Sequence, residues 1–386
     1  MPIKSQPQQP QLRAVADLDQ GLVRLAKRAD SRVVALIPAH NEAAGIAFAL
    51  DSMDRQSRRP DLVVVIADNC TDDTEQVVKR RGGAIVVSTV DNAHKKAGAL
   101  NLVLERLLPR LQPTDAVLVL DADSALDEGF VEGALARLGT LTRDGSAKTI
   151  GGVGGTFRGG RGGGFVGMLQ RNEYARYARD VRRIKGKVLV LTGTAALFSV
   201  AALRRVVQAR AFGVVPGGVG QVYDTNVLTE DNELTLALLH LGYAVLSPRE
   251  CRLETEIMTT WGDLWQQRVR WKRGALENLM DYGLTQITWR YWCRQLLTHL
   301  GVLVTAVYVV SLAYSAALTG GIHVHPIWIA ITGVFIAERV ITVRDRGPLQ
   351  MALAGLIFVE MSFDVFLQAA QARAFWQTLR HSERNW

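Results

Sequence analysis

The sequence predicts an α/β fold, a mostly parallel sheet with helices on both faces, followed by apolar helices toward the C-terminus. Two features of the 386-residue chain support this prediction: short apolar runs alternate with helical stretches from residue 33, and apolar residues are concentrated after residue 294. Strand–helix–strand units at this spacing form right-handed crossovers that bring parallel strands together. Ligands of such a sheet bind at the carboxyl ends of its strands.

Four short apolar runs are typical of buried strands, and three longer stretches between them are typical of helices. The strands are predicted at 33–37, 62–67, 84–88 and 116–120, and the helices near 43–54, 72–81 and 97–108. The Gly-rich stretch 151–164 lacks the strand–turn–helix setting of a P-loop or a dinucleotide fingerprint, so neither site is predicted.

The chain is expected to have five segments. These are a flexible N-terminal leader (1–30), an α/β domain (31–255), interfacial helices (256–294), two to three transmembrane helices (295–370) and a C-terminal tail (371–386). The leader begins with a polar, Pro/Gln-rich stretch that has no apolar core of a signal peptide. The first folded part is therefore expected to start in the cytoplasm.

Charge and cysteine content exclude some classes of protein and leave others open. The net charge of +8 permits nucleic acid, anionic lipid or phosphate-bearing substrates as partners. Nucleic-acid binding needs a clustered basic face with interleaved aromatics, and 265–273 has one; its place just before an apolar segment favours lipid, so no nucleic-acid partner is predicted. Cys70, Cys251 and Cys293 are scattered, which argues against a disulfide framework and a zinc site.

Three apolar segments follow Cys293, at 296–318, 327–343 and 349–370. The first has about 23 residues without Asp, Glu, Lys or Arg, enough to cross a hydrocarbon core of roughly 30 Å. The others contain charges, so a buried helix of a soluble domain is the alternative. Intramembrane charges usually pair, and Arg339 is predicted to pair with Glu360 or Asp364.

Basic residues near the apolar segments predict their orientation. Arg290 and Arg294 precede the first segment, the loop 319–326 has no Lys or Arg, and Arg344 and Arg346 follow the second. The positive-inside rule then places the preceding domain in the cytoplasm, in a multi-pass protein of the cell (inner) membrane. The third segment is predicted either to cross the membrane or to lie in its plane.

Two carboxylates one residue apart end the strand at 116–120. At a strand end of a parallel sheet, Asp121 and Asp123 could hold a hard divalent cation, which in turn neutralises a diphosphate. The alternative is a solvated turn in which an Asp caps the next helix.

Acids and cations near other strand ends favour a divalent-cation site at Asp121 and Asp123 over a solvated turn. "IPAHNE" (37–42) and "IADNCTDD" (66–73) close two strands, so Glu42 and Asp68 should face the same edge as the Asp pair, whereas Asp72 and Asp73 are assigned to helix capping. "HKKAGALN" (94–101) puts Lys95 and Lys96 at a helix start, where a cation is unfavourable unless an anion lies there. A phosphate would explain the lysines, and an exposed solvated pair is the alternative.

Together these motifs resemble the family 2 glycosyltransferases, in particular the membrane-bound branch that includes cellulose and hyaluronan synthases. In the order of that family the sequence contains "PAHNE", "ADNCTDD", "KKAGALN", "DADS", "TGTAAL" (192–197), "TED" (229–231) and "QRVRW" (267–271). The resemblance covers roughly residues 31–294, and its specificity comes from seven motifs in sequence.

The resemblance implies a GT-A fold, a UDP-sugar donor and a Mg²⁺ or Mn²⁺ ion. It implies that Asp231 is the catalytic base, that Asp123 and Asp121 hold the metal, and that a further set binds donor or acceptor. The donor set is Pro38, Ala39, Glu42, Asp68 (near uracil), Lys96 (near the phosphates), Asp121, Gln267, Arg270 and Trp271, and the acceptor set is Gly193, Thr194, Glu230 and Trp271.

Structural alternatives exist for the last two motifs. Thr229 could cap a helix whose first-turn acids merely suit the helix dipole. The stretch 261–283 has apolar residues at helical spacing crowded by arginines, as in an interfacial helix that lies on anionic lipid. Both alternatives can coexist with the catalytic reading.

The expected reaction is a single inverting displacement that forms a β-linkage to a saccharide or lipid-linked acceptor. Polymerisation and single addition both stay open, because two or three helices are thin for a product channel unless protomers associate into a homo-oligomer. A nucleotidyltransferase and a non-catalytic nucleotide-sugar-binding membrane scaffold are the competing classes.

Overall fold

The computed structural model describes residues 10–26, 31–142, 146–320 and 326–380. They form two units: one holds the described residues up to Arg158 together with Val181–Glu256, and the other holds Gly159–Asp180 and the described residues from Ile257 onward.

The strands of the described residues all begin in the first unit. They are β1 (Gln11–Arg13), β2 (Val33–Ala39), β3 (Leu62–Asp68), β4 (Ile85–Val90), β5 (Ala116–Leu120), β6 (Ser124–Leu126), β7 (Ile150–Gly154), β8 (Thr156–Gly159), β9 (Ala195–Ser199), β10 (Ala244–Leu246) and β11 (Arg252–Thr255).

The α-helices of the described residues occur in both units. They are α1 (Val15–Ala26), α2 (Ile46–Asp54), α3 (Thr74–Arg81), α4 (Lys95–Leu107), α5 (Phe130–Leu135), α6 (Gly164–Arg183), α7 (Val200–Ala211), α8 (Glu230–His240), α9 (Trp261–Tyr282), α10 (Trp289–Thr319), α11 (Pro326–Thr342), α12 (Pro348–Gly355) and α13 (Ile357–Leu379).

The large sheet has the strand order β1-β4-β3-β2-β5-β9-β7-β10, and β6, β11 and β8 form a second, small sheet. The four predicted strands are confirmed as β2 to β5, which pair in parallel. Every residue of β2 and β5 is buried, because helices cover both faces of a parallel sheet. β9 runs antiparallel between β5 and β7, an insertion that the sequence pattern did not predict.

The N-terminal segment differs from the predicted flexible leader. Within residues 10–26, β1 pairs antiparallel with β4, and α1 buries Leu18, Leu22 and Leu25. The physical reason is the spacing of these leucines, which gives a helix one apolar face to pack on the sheet. Residues 1–9 and 27–30 of the predicted leader lie outside the described residues.

The predicted helices are confirmed as α2, α3 and α4, with starts shifted by two or three residues. Asp72 accepts hydrogen bonds from the Thr74 backbone N–H (3.0 Å) and from the Ala43 N–H (3.0 Å), so it is structural as predicted. Asp73 occupies the N-cap position of α3 without a side-chain capping bond, and Glu75 in the first turn accepts from Ser88 Oγ (2.6 Å).

In the second unit, charged groups on three helices form one buried cluster. Arg339 of α11 pairs with both Glu360 and Asp364 of α13, which confirms the predicted pairing. Arg176 of α6 also bonds Glu360 (2.6 Å), and Asn172 donates to the same carboxylate (2.9 Å). Glu360 is fully buried, so these partners replace the water that it loses.

The three predicted apolar segments lie in α10, in α11 and in α12 with α13. By length and composition no single helix among the described residues qualifies as a membrane span; α12 and α13 qualify together, as a pair bent by 77°. Helix α13 continues to Leu379, well into the predicted tail. Residues 381–386 of that tail and 321–325 of the predicted loop lie outside the described residues.

Candidate active site

The candidate site lies at the carboxyl ends of the parallel strands in the first unit. Asn41, Asn69 and Asp91 follow β2, β3 and β4, and each has a positive φ, near 57°, 47° and 57°. Asn and Asp tolerate this left-handed conformation better than other non-glycine residues, which explains these residue types at sharp strand-end turns. Asn41 Oδ1 also accepts from the Thr71 N–H (2.8 Å), so the first two motifs fix one another.

Asp68 is held at the end of β3 by side chains of the neighbouring segment. Its Oδ1 accepts from Thr89 Oγ1 (2.5 Å) and Asn92 Nδ2 (2.7 Å), and the residue is only 6% exposed. Pro38 and Ala39 end β2 beside β3 and are buried. These three predicted donor residues are therefore adjacent at one sheet edge.

Lys96 joins the first turn of α4 to two other elements of the site. Its Nζ donates to Asp121 Oδ1 (2.5 Å) and to the Gly193 carbonyl (3.0 Å), and it lies 3.4 Å from Glu230 Oε1. Burial acts to lower the pKa of Lys96, but the charges of Asp121 and Glu230 outweigh it and raise the pKa above its ordinary value. The ammonium group therefore stays charged at neutral pH.

Asp231 lies in the first turn of α8, against the segment that precedes β9. Its Oδ2 accepts from the Gly193 N–H (2.8 Å) and its Oδ1 from the Asn232 N–H (2.8 Å). A Cβ on Gly193 would lie 3.0 Å from the Asp231 carboxylate, so glycine permits this approach. Thr229 occupies the N-cap position without a side-chain capping bond. Burial, followed by the charge of Glu230, raises the pKa of Asp231 to about 6.

The segment before β9 also contacts Asp121. The Thr194 carbonyl accepts from the Asp121 N–H (2.9 Å), because β9 pairs antiparallel with β5 at this point. Lys96, Asp121, Gly193, Thr194, Glu230 and Asp231, all predicted from sequence, are thus brought together.

Carboxylates crowd the place predicted for a divalent cation. Burial, then the charges of Asp123, Glu256 and Asp121, raises the pKa of Glu42 to about 7. Burial likewise raises the pKa of Asp121 to about 6 and raises that of Asp123. No group of three or more His, Cys, Asp or Glu side chains with metal-binding geometry occurs among the described residues. A Mg²⁺-type ion that is also held by phosphates needs one or two carboxylates, so the donor set fits such an ion.

Tyr223, which the sequence analysis did not single out, lines a small cavity beside Asp231. Its volume is about 10 Å³, close to that of a single water, and its lining comprises Lys96, Val119, Thr192, Gly193, Ala196, Phe198, Tyr223, Glu230 and Asp231. Tyr223 is 4% exposed. The Asn101 side chain fixes it, since Oδ1 accepts from the Tyr223 N–H (3.0 Å) and Nδ2 donates to the Tyr223 carbonyl (2.7 Å). In the sequence, the feature that could have pointed to this part of the site is Asn101, the last residue of "KKAGALN".

A larger cavity of about 1120 Å³ occupies the opposite edge of the sheet, where the parallel strands begin. Its two arginines are already paired: Arg32 with Asp115 (2.5 Å) and Arg58 with Asp61 (2.6 Å). It therefore offers no free charge and none of the predicted residues.

Gln267, Arg270 and Trp271 lie on α9 in the second unit. Gln267 Oε1 accepts from Arg268 Nη1 (3.0 Å), and the Arg268 guanidinium carbon lies 4.4 Å from the centre of the Trp271 ring. Their contact with a nucleotide sugar stays a prediction.

Comparisons with known proteins found one matching family and several similar proteins. Residues 34–207 match the family described as "Glycosyl transferase family 2". The chain is 26% identical over 263 residues to the poly-beta-1,6-N-acetyl-D-glucosamine synthase of Staphylococcus aureus (strain COL), covering 66% of this chain and 58% of that protein, less than two thirds of its length. It is 27% identical over 339 residues to the probable glycosyltransferase YdaM of Bacillus subtilis (strain 168), covering 81% and 74%.

One solved structure shares the fold over nearly the whole chain. A mannosyltransferase from Pyrobaculum calidifontis, in complex with GDP-Man and Mn²⁺, superposes with a TM-score of 0.58 at 18% identity and covers 96% of this chain and 95% of that one. Together with the family match, this confirms the predicted α/β fold of the GT-A type.

Proposed function

We propose that this chain is an inverting, membrane-bound glycosyltransferase that transfers a sugar from a UDP-sugar to a saccharide or lipid-linked acceptor and forms a β-glycosidic bond. The observation that carries the proposal is the meeting of Lys96, Asp121 and Asp231 around Gly193. Three motifs, the outer two of which are 135 positions apart in sequence (Lys96 to Asp231), thereby form one charged site, within or just beyond the family match at residues 34–207.

Asp231 has the properties of a general base. Two backbone N–H groups hold its carboxylate in place, and a pKa of about 6 leaves it ionised at neutral pH but still basic enough to accept a proton. In the proposed reaction Asp231 takes the proton of an acceptor hydroxyl as that oxygen bonds the anomeric carbon. The bond from the anomeric carbon to the diphosphate breaks, and UDP leaves with the electron pair.

Lys96 and Arg270 are proposed to stabilise the departing diphosphate. Lys96 already has carboxylate partners, so its positive charge lies in the site before any donor binds. Such preorganised charge stabilises a transition state without the cost of reorienting solvent. Trp271 is proposed to present its indole face to the acceptor sugar.

Asp123 and Asp121 would hold a Mg²⁺ or Mn²⁺ ion. The raised pKa of Asp123 supports this assignment, since a cation would relieve the cost of keeping that carboxylate buried and charged. When bound, the ion supplies positive charge that neutralises the diphosphate. The mannosyltransferase of similar fold was solved with Mn²⁺ and a nucleotide sugar, in agreement with such a site.

The proposed location is the cytoplasmic face of the cell (inner) membrane. Helix α10 supports membrane attachment because its apolar side chains are more than half exposed at many positions, among them Leu297, Leu303, Val307 and Val310. Exposed apolar surface of this extent marks a contact with lipid or another protein.

The test is release of UDP from a panel of UDP-sugars, with Mn²⁺ or Mg²⁺ and a lipid extract as the source of acceptors. The wild-type chain should release UDP from at least one donor, and Asp231→Asn should do so about 10²- to 10⁴-fold more slowly. Asp54→Asn, an exposed acid paired with Arg81, is the control and should retain full activity. Near-normal turnover by Asp231→Asn would remove Asp231 from the role of base, and donor binding without release would favour the scaffold.

Processive synthesis and single addition give different products. The name of the Staphylococcus relative supports polymerisation, but this chain aligns with only 58% of that protein. Incubation with a labelled UDP-sugar and sizing of the product on a gel separates the two: a long ladder indicates polymerisation, and one shifted lipid band indicates single addition.

A further inference from the structure

Helix α9 contains two cations for which the proposed sugar transfer has no use. Arg268 and Lys272 are one turn apart and therefore share a side of the helix. A third cation, Arg294 near the start of α10, is close enough for its charge to act on Lys272. All three belong to the second unit.

Arg268 is buried in an unusual way for an arginine. It is 2% exposed and lies between aromatic rings, 4.4 Å from the centre of Trp271 and 5.6 Å from that of Tyr174. Nη1 donates to Gln267 Oε1 (3.0 Å) and Nη2 to Glu173 Oε2 (2.7 Å). Nε is buried, yet it has no hydrogen-bond partner within the described part of the chain. A buried N–H without an acceptor is costly, so an acceptor from outside the chain would stabilise this arrangement.

The charges around Arg268 do not balance. Burial lowers the pKa of Lys272, Glu173 opposes that effect, and Arg268 and Arg294 add to it. Among the charges of the described residues that act most on Lys272, two are cations and one, Glu173, is a carboxylate. A bound anion would relieve the repulsion between these like charges.

We infer that Arg268, Lys272 and Arg294 form a binding site for the phosphate group of a lipid. Arginine and lysine both bind phosphate oxygens by charge-assisted hydrogen bonds, and a guanidinium group can do so with two parallel ones. The carrier is a lipid because α10 continues past Arg294 with exposed leucines at 296, 297, 300 and 303, which provide an apolar surface for the chain of the ligand. This inference rests on the proposed function in one respect: a phosphate-bearing lipid is one class of the acceptors proposed above.

The experiment measures binding to the purified chain in detergent, without sugar transfer. The probes are farnesyl phosphate, the uncharged alcohol farnesol, and inorganic phosphate. Farnesyl phosphate should bind at least about tenfold more tightly than either other probe, because each of them lacks one of the two recognised parts. Lys272→Gln and Arg294→Gln should each weaken farnesyl phosphate binding by about tenfold, the loss of one charge-assisted hydrogen bond.

Arg290→Gln is the matched control. It removes one positive charge from α10, one turn before Arg294. Arg290 is exposed and lies 5.8 Å from the centre of the Trp289 ring. Equal weakening by Arg290→Gln, equal binding of farnesol, equal binding of inorganic phosphate, or displacement of farnesyl phosphate by UDP would each overturn the inference. A chain that binds farnesyl phosphate as expected but releases no UDP would contradict the proposed function alone.

Discussion

Lys96 Nζ donates a hydrogen bond to Asp121 Oδ1 over 2.5 Å and thereby joins the first turn of α4 to the carboxyl end of β5. A cation at a helix N-terminus opposes the helix dipole, so its presence there needs an anion nearby. Asp121 and Glu230 are such anions. The cation in turn lets Asp121, Glu230 and Asp231 lie close together despite their like charges.

Lys96→Met should strongly slow the proposed sugar transfer while the chain still folds. Because the charge of Lys96 lowers the pKa of both Asp121 and Asp231, its removal should raise both pKa values and shift the acid limb of the pH–rate profile upward. We expect the rate of UDP release at pH 7.5 to fall by about 10²- to 10³-fold. Lys79→Met, which removes an exposed lysine of α3, is the control. An unchanged rate with Lys96→Met would show that this charge serves folding only.

The rate of the proposed sugar transfer should depend on pH through Asp231. Its pKa of about 6 means that the carboxylate is half protonated near pH 6, and only the ionised form accepts a proton. The rate of UDP release should therefore rise about tenfold per pH unit below pH 6 and level off above pH 7. Initial rates between pH 4.5 and 8.5 check this. A flat profile across pH 5 to 7 would contradict the assignment, provided that the chain stays folded.

Glu42→Gln should stabilise the protein at alkaline pH. The folded state raises the pKa of Glu42 from 4.5 to about 7, so it binds this proton more tightly than the unfolded state does. The free energy of unfolding therefore falls as the pH rises from about 4.5 to 7, and the full cost is present above pH 7. Glu42→Gln removes that cost, so its urea midpoint should exceed that of the wild type at pH 8 and equal it at pH 4. If the urea midpoint of Glu42→Gln at pH 8 were below that of the wild type, the neighbouring carboxylates would not destabilise ionised Glu42.

A divalent cation should stabilise the wild-type chain more at pH 8 than at pH 5. At pH 8 the carboxylates near Asp123 are ionised and repel one another, whereas protons partly relieve that repulsion at pH 5. Addition of Mn²⁺ should therefore raise the melting temperature at pH 8, and Asp123→Asn should abolish the increase. Asp127→Asn, at an acid already paired with Arg158, should keep it. Equal increases in both variants would indicate a cation site elsewhere.

The sequence was sufficient to predict those parts of the site that depend on strand ends. Parallel strands end at one edge, so Glu42, Asp68 and Asp121 could be placed there from their positions alone. Lys96 lies beside an anion, as expected of a lysine at a helix start, but the anion in the structure is the Asp121 carboxylate, and contact with a phosphate stays a prediction. The proposed phosphate contact depends on a bound donor, which no sequence pattern specifies.

Other features depend on contacts between distant residues and could not be predicted in this way. Tyr223 lies in an irregular segment without periodicity, and its position is fixed by Asn101, 122 residues away. Helix α1 was missed because the polar residues before it dominated the composition of the first 30 positions. The antiparallel strand β9 follows a long insertion, and local patterns do not determine where such a strand enters a sheet.

Asn101→Ala should reduce activity through Tyr223 without direct contact with substrate. The Asn101 side chain holds the backbone of Tyr223 at both its N–H and its carbonyl, so its loss should let the phenol leave the cavity beside Asp231. We expect a lower kcat with little change in the KM for the donor. Asn101→Asp keeps the acceptor oxygen but loses the donor, and should give an intermediate kcat. A change in stability alone, with kcat unaffected in the folded fraction, would assign Asn101 a purely structural role.

Arg210 and Glu233 should dominate the stability of the segment that carries Tyr223. Their side chains are 0% and 1% exposed, and Nη2 lies 2.6 Å from Oε2 while it also donates to the Val222 carbonyl (2.9 Å). Arg210→Met would remove this ion pair from the buried Glu233 carboxylate, at a cost of about 3–5 kcal/mol in the free energy of unfolding. Arg205→Met, at an exposed position of the same helix α7, should change it by less than about 0.5 kcal/mol. Urea denaturation measures both, and a loss below about 1 kcal/mol for Arg210→Met would mean that water reaches Glu233 and that the segment is not held by this pair.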